Sequence, residues 1–456
     1  MLERMFGLSA RGTTVGREVR GGVTTFMAMA YIILLNPIIL AAAEDVTHAR
    51  LTIVQLTTST ALAAALCTLL MAFVGNAPFG LAAGLGLNAV VAYQAAPHMT
   101  WAQAMGLVVL GGLVIILLAV TGMRTLIMNA IPLALKHAIS VGIGMFIALI
   151  GLVNSGVVTR GVGTPLQLGP NGHLGTWPMA VFCFGLLLMI VLYVRRVPGA
   201  ILIGIVVATI AAIAVHALAT VPPKEWGLVV PTLPESLIAV PDFGLVGQVD
   251  VFGGFARAGV LTATVVLFTL VLSGFFDAMG TIIGVSDEAG LVDEQGRVPR
   301  LAQILTVDGV AGVVGGSLSA SANTVFVESA TGVGEGARTG LASVATGALL
   351  ALTLLFTPLA AVVPPAAATP ALVLVGALMM AQARKVPWDD IDFAIPAFLT
   401  IALMPFTYSI TNGIGAGVIA YTLIKAAKGR FSEIPWLLWV VSVIFALYFG
   451  LGGLTV

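Results

Sequence analysis

The sequence predicts an all-α polytopic membrane protein, and three observations carry this prediction. Only 9% of the 456 residues are charged, whereas about 25% are charged in a soluble globular chain. Hydrophobic residues make up 59%, and the mean hydropathy is +1.09. Several apolar runs, such as 21–43 and 341–363, reach the roughly 20 residues that a helix needs to cross a bilayer. A formal net charge of zero also argues against nucleic acid as a partner.

The apolar segments number fourteen, seven on each side of a polar stretch at 220–254. They lie near 21–43, 51–75, 79–95, 102–122, 131–153, 176–194, 199–220, 257–284, 300–318, 323–337, 341–363, 369–383, 392–410 and 413–427. A further run at 436–451 either spans the membrane or lies in its interface with aromatic residues at the headgroups.

The distribution of basic residues predicts the orientation. If the N-terminus is cytoplasmic and the segments alternate, sixteen of the twenty Lys and Arg residues lie inside and four lie outside, as the positive-inside rule expects. The first apolar run is too long for the h-region of a signal peptide, so it is the first spanning helix. We therefore predict a multi-pass protein of the cytoplasmic (inner) membrane with its N-terminus inside.

The arrangement of seven and seven segments predicts a duplication with inverted topology, because an odd-numbered repeat must point its second copy the other way. Two pairs of stretches resemble each other in the same order in both halves: 131–151 with 363–383, and 198–210 with 412–424. The fold class is accordingly fourteen transmembrane segments in two inverted repeats of seven helices.

Segments 3 and 10 are short and interrupted. Each begins with a stretch rich in glycine or serine and continues for about three helical turns, at 78–93 and 316–333, which is too short to span alone. Paired broken segments in corresponding positions of two halves indicate a binding site near the bilayer midplane. We expect each of them to start extended and to continue as a half-helix.

Three carboxylates lie within apolar segments: Asp277, Asp308 and Glu328. A charge at that depth costs several kcal/mol unless it is paired, protonated or facing a cavity, so each residue is a candidate for function. The structural alternatives are a helix cap for Glu328, a hydrogen bond to Thr281 for Asp277, and a structural role for Asp308, which is the favoured reading there. Asp277 and Glu328 are therefore the predicted functional pair.

Motifs of other classes are missing from the sequence. The glycine-rich stretch 332–340 lacks the Gly-Lys-Ser/Thr of a phosphate-binding loop, and the five histidines occur singly. Neither a nucleophile elbow nor an HExxH pattern is present. We predict that the protein is not an enzyme and that it uses no cofactor or metal.

Four stretches resemble the AzgA-like purine permeases, a branch of the xanthine/uracil permease superfamily of nucleobase:cation symporters. They are "GGVTTFMAMAYIILLNPIIL" at 21–40, "FGLAAGLGLNAVVAY" at 79–93, "FFDAMGTIIGVSDEAGLVDEQGRVPRL" at 275–301 and "VFVESATGVGEGARTGLASV" at 325–344. The resemblance runs over nearly the whole chain, and the last two motifs are specific rather than compositional.

The resemblance implies a division into a core domain, from segments 1–4 and 8–11, and a gate domain, from segments 5–7 and 12–14. Short antiparallel strands would pair the starts of segments 3 and 10, and the assembly is often a homodimer. The predicted boundaries are a cytoplasmic N-terminus at 1–20, the core at 21–122 and 257–363, the gate at 131–220 and 369–427, a polar extracytoplasmic connection at 221–256, and a C-terminal tail with an extra hydrophobic segment at 428–456.

The resemblance also implies a substrate site between segments 3 and 10, in which acids of segments 8 and 10 bind the base. Those acids match Asp277 and Glu328. The other positions that match substrate-binding residues are Thr281, Asn88, Val327 and, more loosely, Thr25.

The predicted function is import of purine nucleobases (adenine, guanine or hypoxanthine) by proton symport, with an elevator-like motion of the core against the gate. Asp277 and Glu328 would carry the coupling proton, because a carboxylate accepts from ring N–H groups and a protonated carboxyl donates to ring acceptors. Phe276, Phe326 and Tyr93 are candidates to stack on the base. The alternatives are coupling to Na+, an anion carrier of the sulfate-transporter type, and a passive channel.

Overall fold

The structure is a computed structural model that describes residues 2–122, 131–161, 163–234, 236–292 and 298–451. Parts of the predicted cytoplasmic loop before segment 9 (293–297) and of the C-terminal tail (452–456) lie outside the described residues.

Helices make up most of the described chain. In the first half they are α1 (Leu2–Phe6), α2 (Val15–Met29), α3 (Ile32–Ala41), α4 (Ile53–Leu70), α5 (Leu85–Val90), α6 (Trp101–Thr121), α7 (Leu133–Asn154), α8 (Trp177–Val194) and α9 (Ala200–Ala219). In the second half they are α10 (Gly253–Ala258), α11 (Val260–Glu288), α12 (Leu301–Ser317), α13 (Ser329–Gly334), α14 (Gly340–Leu352), α15 (Thr357–Ala360), α16 (Pro365–Ala368), α17 (Pro370–Met379), α18 (Ile391–Phe406), α19 (Ile410–Ala427) and α20 (Trp436–Leu451). Short π-helical turns extend α4 (Met71–Gly75) and α5 (Val91–Ala95).

Ten helical stretches of the described ranges are long and apolar enough to cross a membrane, if α2 with α3, α14 with α15, and α16 with α17 are each counted as one continuous stretch. The helices α12, α18 and α20 are shorter and apolar. Each of the fourteen predicted segments has a helix at its place, although in segments 3 and 10 the helix is short and follows a strand. The number of fourteen crossings stays a prediction. The run at 436–451 forms α20, which packs against α19.

Two short strands, β1 (Leu81–Ala83) and β4 (Asn323–Val325), pair in antiparallel register, as the resemblance implied. Leu81 lies opposite Val325, and the ladder is extended at its ends by Phe326 N–H to the Gly80 carbonyl (2.9 Å) and Gly84 N–H to the Ala322 carbonyl (3.0 Å). Both strands are fully buried. Because hydrocarbon offers no hydrogen-bond partner, the two broken segments satisfy each other's backbone groups. A second small pair, β2 (Val158–Thr159) with β3 (Gln167–Leu168), lies after α7.

Two buried side chains hold the central strand pair from neighbouring helices. The hydroxyl of Thr68, on α4, donates to the Leu81 carbonyl (3.1 Å) and accepts from the Leu81 N–H (2.9 Å). Asp308, on α12, accepts from the Thr324 hydroxyl (2.8 Å) and the Val325 N–H (3.1 Å) through one carboxylate oxygen. Thr68 thus binds the backbone of Leu81, and Asp308 binds the backbone of Val325. These two residues lie opposite each other in the strand pair. The strand pair is therefore supported from both sides.

Several helix contacts join helices that the prediction assigns to the same domain, and the names core and gate are used below for these two predicted groups. The division into two domains itself stays a prediction. In the core, α4 packs against α14 and α12 packs against α6. In the gate, α7 packs against α17 and α18, and α8 packs against α9. Glycines allow the closest approaches: a Cβ at Gly376 of α17 would lie 2.3 Å from the Gly144 carbonyl of α7, and one at Gly309 of α12 would lie 3.0 Å from the Gly112 carbonyl of α6.

A buried carboxylate ties the start of the chain to the core. Glu18, on α2, is fully buried. It accepts from the N–H groups of Arg338 (2.7 Å), Thr339 (3.2 Å) and Ala342 (3.1 Å) at the beginning of α14. Of these groups, the Ala342 N–H also donates to the Thr339 carbonyl (3.3 Å). The first N–H groups of a helix generally lack the carbonyl partner of later ones, and the helix dipole favours a negative charge there.

We expect the substitution Glu18→Ala to lower the stability of the folded protein by about 3 kcal/mol, because three buried or half-buried donors lose a charged acceptor. The measurement is the thermal unfolding midpoint in detergent. The control is Glu335→Ala, since Glu335 pairs with Arg20 at 2.9 Å but both side chains are exposed, and such pairs contribute less than about 1 kcal/mol. Equal unfolding midpoints for the two variants would contradict the assignment.

Candidate substrate site

A cavity of about 130 Å³ lies where the strand pair meets the gate helices. Its core wall is formed by residues of α3, α5, α11 and the β4–α13 junction: Tyr31, Gly84, Leu85, Gly86, Leu87, Ser273, Phe276, Asp277, Thr281, Val325, Phe326, Val327 and Glu328. Its gate wall is formed by α7 and α17: Lys136, Ile139, Ser140, Ile143, Ile147, Val375 and Met379. The cavity therefore lies between the two groups of helices.

Glu328 is placed in the cavity by the strand pair. It follows β4 directly and occupies the N-cap position of α13, but its side chain makes no capping hydrogen bond. Its carboxylate accepts instead from the Tyr31 hydroxyl at 2.5 Å. The next residue, Ser329, anchors the turn because its hydroxyl accepts from the Gly80 N–H at 3.0 Å. The structural alternative of a side-chain cap at Glu328 is thus not what the geometry presents.

Asp277 enters the same cavity from the middle of α11, where its side chain is exposed to the cavity. Thr281 lies one turn later and also lines the cavity. Within the described part of the chain, no hydrogen bond joins the Asp277 carboxylate to Thr281. The geometry therefore gives no support to the alternative in which Asp277 serves only to bond that threonine.

Asp308 does not belong to the cavity lining. It is 2% exposed and holds β4 through Thr324 and Val325. This contact agrees with the structural role favoured from the sequence.

The remaining predicted site residues fall into two groups. Val327 and Thr281 line the cavity beside the two acids. Asn88 and Thr25 do not: Asn88 is fully buried on α5 with no hydrogen-bond partner for either amide atom among the described residues. Thr25 is buried against Gly332, where an added Cβ would lie 2.2 Å from the Thr25 hydroxyl oxygen. Thr25 therefore contributes to the packing of α2 on α13.

Of the lining residues that were not expected from the sequence, two have side chains that contact the predicted site residues, Tyr31 and Lys136. Tyr31 lies at the break between α2 and α3, and its hydroxyl contacts Glu328. Lys136 is one of the sixteen basic residues counted on the cytoplasmic side, and it lies in the first turn of α7 with its Nζ 4.9 Å from the centre of the Phe276 ring. Lys136, Ser140, Ile143 and Ile147 have the spacing of one helix face, and this pattern is the signal in the sequence that could have identified Lys136.

The aromatic candidates also separate. Phe276 and Phe326 line the cavity. Tyr93 lies outside the lining and packs edge-on against Tyr408 of the gate, with ring centres 5.3 Å apart.

A cavity with two acids between two groups of helices, in a chain whose described residues include ten helical stretches that could cross a membrane, defines a membrane transporter. The chain belongs to the xanthine/uracil permease family, because residues 16–416 match the model described as "Permease family". It is 37% identical to the guanine/hypoxanthine permease PbuG of Bacillus subtilis (98% of this chain, 99% of the relative) and 36% identical to the adenine permease AdeP of Escherichia coli (98% and 95%). It is a transporter and not an enzyme.

The fold is similar to that of the transmembrane domain of BicA, a bicarbonate transporter of a cyanobacterium. The TM-score is 0.63 at 16% identity, over 88% of this chain and 97% of that chain. This likeness concerns the fold alone.

We expect Asp308→Asn to keep the unfolding midpoint of the wild type, because the amide oxygen still accepts from Thr324 and Val325. Asp308→Ala leaves both donors unsatisfied and is expected to cost about 2 to 4 kcal/mol. The measurement is thermal unfolding of the purified protein. If Asp308→Asn were as unstable as Asp308→Ala, the structural assignment would be wrong.

Proposed function

We propose that this protein imports purine nucleobases (adenine, guanine or hypoxanthine) across the cytoplasmic membrane by proton symport. The observation that carries the proposal is the meeting of Asp277 and Glu328 in one cavity between core and gate. The names of the relatives, which include guanine/hypoxanthine and adenine permeases, support the purine as substrate.

The chemistry of the two acids suits a purine and a proton together. A purine edge carries ring N–H donors next to carbonyl or ring-nitrogen acceptors. A carboxylate accepts from the former, and a carboxylic acid donates to the latter, so one proton on the pair completes the recognition. Binding of the proton then raises the affinity for the base, and binding of the base raises the affinity for the proton. Symport requires this reciprocal coupling.

Tyr31 positions one of these acids. Its hydroxyl donates to one oxygen of Glu328 at 2.5 Å, which orients the carboxyl group towards the cavity and leaves the second oxygen for substrate or proton. Thr281 and the backbone at Val327 lie next to the acids and are the further proposed contacts to the base, with Phe276 and Phe326 as stacking surfaces. Asn88 and Thr25 do not line the cavity. We propose that they affect substrate binding indirectly, by positioning the half-helices α5 and α13.

An inverted duplication with fourteen crossings is the architecture we propose. Pairing 131–151 with 363–383 makes Gly144 equivalent to Gly376, Ile143 to Val375 and Ile147 to Met379. The glycines of the first pair approach each other closely, and the members of the other two pairs line the cavity from its two gate helices. Likewise, Thr68 on α4 and Asp308 on α12 hold register partners of the strand pair.

Contacts between core and gate suggest how transport proceeds. Gln94 of segment 3 accepts from the N–H (3.1 Å) and the hydroxyl of Thr411 in α19, and the Thr411 hydroxyl lies 3.1 Å from that of Thr269 in α11. Tyr408 packs edge-on against both Tyr93 and Phe146, with ring centres 5.3 and 5.1 Å apart.

These contacts lie towards the end of α7 opposite to Lys136, since Phe146 comes ten residues later on the same helix. If the N-terminus is in the cytoplasm, these contacts close the cavity towards the outer face of the membrane, and the cavity is open towards the cytoplasm. An elevator-like motion of the core against the gate has to separate them.

The anion-carrier alternative has one observation in its favour, which is the ammonium group of Lys136 in the cavity. Two carboxylates in the same cavity oppose a small anion, because like charges repel strongly in a site of low dielectric constant. A neutral base that donates to these acids fits the cavity better.

Uptake of radiolabelled purine tests the function directly. We expect saturable uptake that collapses with a protonophore, and a loss of about 10- to 100-fold for Asp277→Asn and Glu328→Gln, because each variant loses a hydrogen bond to a charged group. Glu335→Gln, which changes an exposed carboxylate at the end of the same short helix, is the matched control. Wild-type uptake rates in both acid variants would exclude the proposed roles.

A disulfide tests the motion. With Cys67 and Cys183 replaced by alanine, the pair Thr269→Cys and Thr411→Cys places sulfur atoms where two hydroxyl groups are 3.1 Å apart. We expect oxidation to stop uptake and a reductant to restore it, because the bond fixes core to gate.

The matched control for this disulfide is Thr422→Cys with Ser442→Cys, which joins α19 to α20 at a hydroxyl separation of 2.7 Å. Oxidation of the control should leave uptake unchanged. Full uptake by the oxidised Thr269/Thr411 variant, with the cross-link verified by mass spectrometry, would rule out core-against-gate motion.

A further inference from the structure

The gate wall of the cavity carries one charged side chain among its described lining residues, Lys136. Its Nζ lies 4.9 Å from the centre of the Phe276 ring, and Phe276 immediately precedes Asp277 on α11. The cavity thus has two acids on the core wall and an ammonium group on the gate wall, with the Phe276 ring beside the ammonium group.

The Phe276 ring limits where this ammonium group can lie. A cation within about 6 Å of a ring centre is attracted to the ring face, and Lys136 is half-buried, so the flexible side chain is held beside the cavity. An ammonium group has donors and no acceptor. Whatever group of a bound molecule meets this part of the wall must therefore be a hydrogen-bond acceptor.

Purines differ at ring position 6 in whether they offer a hydrogen-bond acceptor to an ammonium group. Guanine and hypoxanthine have a carbonyl oxygen at ring position 6 and an N–H at the adjacent ring nitrogen. Adenine has an amino group at position 6 and an acceptor nitrogen beside it. An ammonium group that donates to the carbonyl, together with a carboxylate that accepts from the N–H, matches the oxopurine edge. The same ammonium group opposite the amino group of adenine brings two donors together.

We infer that Lys136 is a specificity-determining residue that donates to the position-6 carbonyl of the substrate, so that this transporter selects oxopurines over adenine. The inference rests on the proposed function and names the substrate class of the same site. Sequence identity does not distinguish an oxopurine transporter from an adenine transporter here. The chain is 37% identical to a guanine/hypoxanthine permease and 36% identical to an adenine permease.

A general electrostatic role for Lys136 has a different signature. If the ammonium group acted only as a counter-ion for Asp277 and Glu328, its removal would weaken every purine by a similar factor. A residue that reads the carbonyl changes the ratio between oxopurine and adenine.

The experiment compares binding of radiolabelled hypoxanthine and adenine to the purified full-length protein, for the wild type, Lys136→Met, Lys136→Arg and Lys385→Met. We expect the wild type to bind hypoxanthine at least about 10-fold more tightly than adenine. Lys136→Met should lose about 10- to 100-fold of its hypoxanthine affinity and keep its adenine affinity. Lys136→Arg, which retains a cationic donor, should recover part of the preference. Lys385→Met, an exposed gate cation outside the cavity lining, should behave like the wild type.

Retained adenine binding by Lys136→Met also shows that this variant is folded. A wild type that prefers adenine, or an equal loss of both ligands in Lys136→Met, would overturn the inference and leave purine transport standing. Absence of binding of any purine to the wild type would overturn the proposed function itself.

Discussion

The structure depends on the pairing of two three-residue strands inside the membrane. Neither broken segment can exist in hydrocarbon alone, because its extended backbone would leave N–H and C=O groups without partners. The pairing of Leu81–Ala83 with Asn323–Val325 supplies these hydrogen-bond partners. Thr68 and Asp308, on adjacent helices, form further hydrogen bonds to the two strands. The half-helices that follow the strands bring Glu328 and its neighbours to the cavity wall.

The cavity joins opposite charges from two groups of helices. The acids and Tyr31 lie on helices of the predicted core, whereas Lys136 lies on a helix of the predicted gate. In a core-against-gate motion the acids would travel together with Tyr31, whose hydrogen bond to Glu328 lies within the core, while their distance to Lys136 would change. The hydrogen bond from Tyr31 to Glu328 would then be the same in the outward-facing and inward-facing states. The electrostatic interaction of the acids with Lys136 would differ between these two states.

Sequence reasoning found the features that hydropathy and charge make visible: the apolar segments, the two broken segments and the carboxylates within them. It missed Tyr31 because a tyrosine in an apolar run has no distinctive pattern, and its direction depends on the break between α2 and α3. Lys136 was hidden because charge counting assigns a lysine near a helix end to the loop. For Asn88 and Thr25, the resemblance gave positions along the chain, whereas the rotation of each helix decides that they are buried away from the cavity.

The gate wall separates two properties of the cavity. Its width is set by apolar positions that pair between α7 and α17, Ile143 with Val375 and Ile147 with Met379, on helices held at fixed distance by Gly144 and Gly376. The one charge among its described lining residues is that of Lys136, and the proposed repeat would pair this position with the uncharged Ala368. Ligand size and ligand polarity are therefore independent variables for redesign: the first can be altered symmetrically on two helices, and the second at a single position.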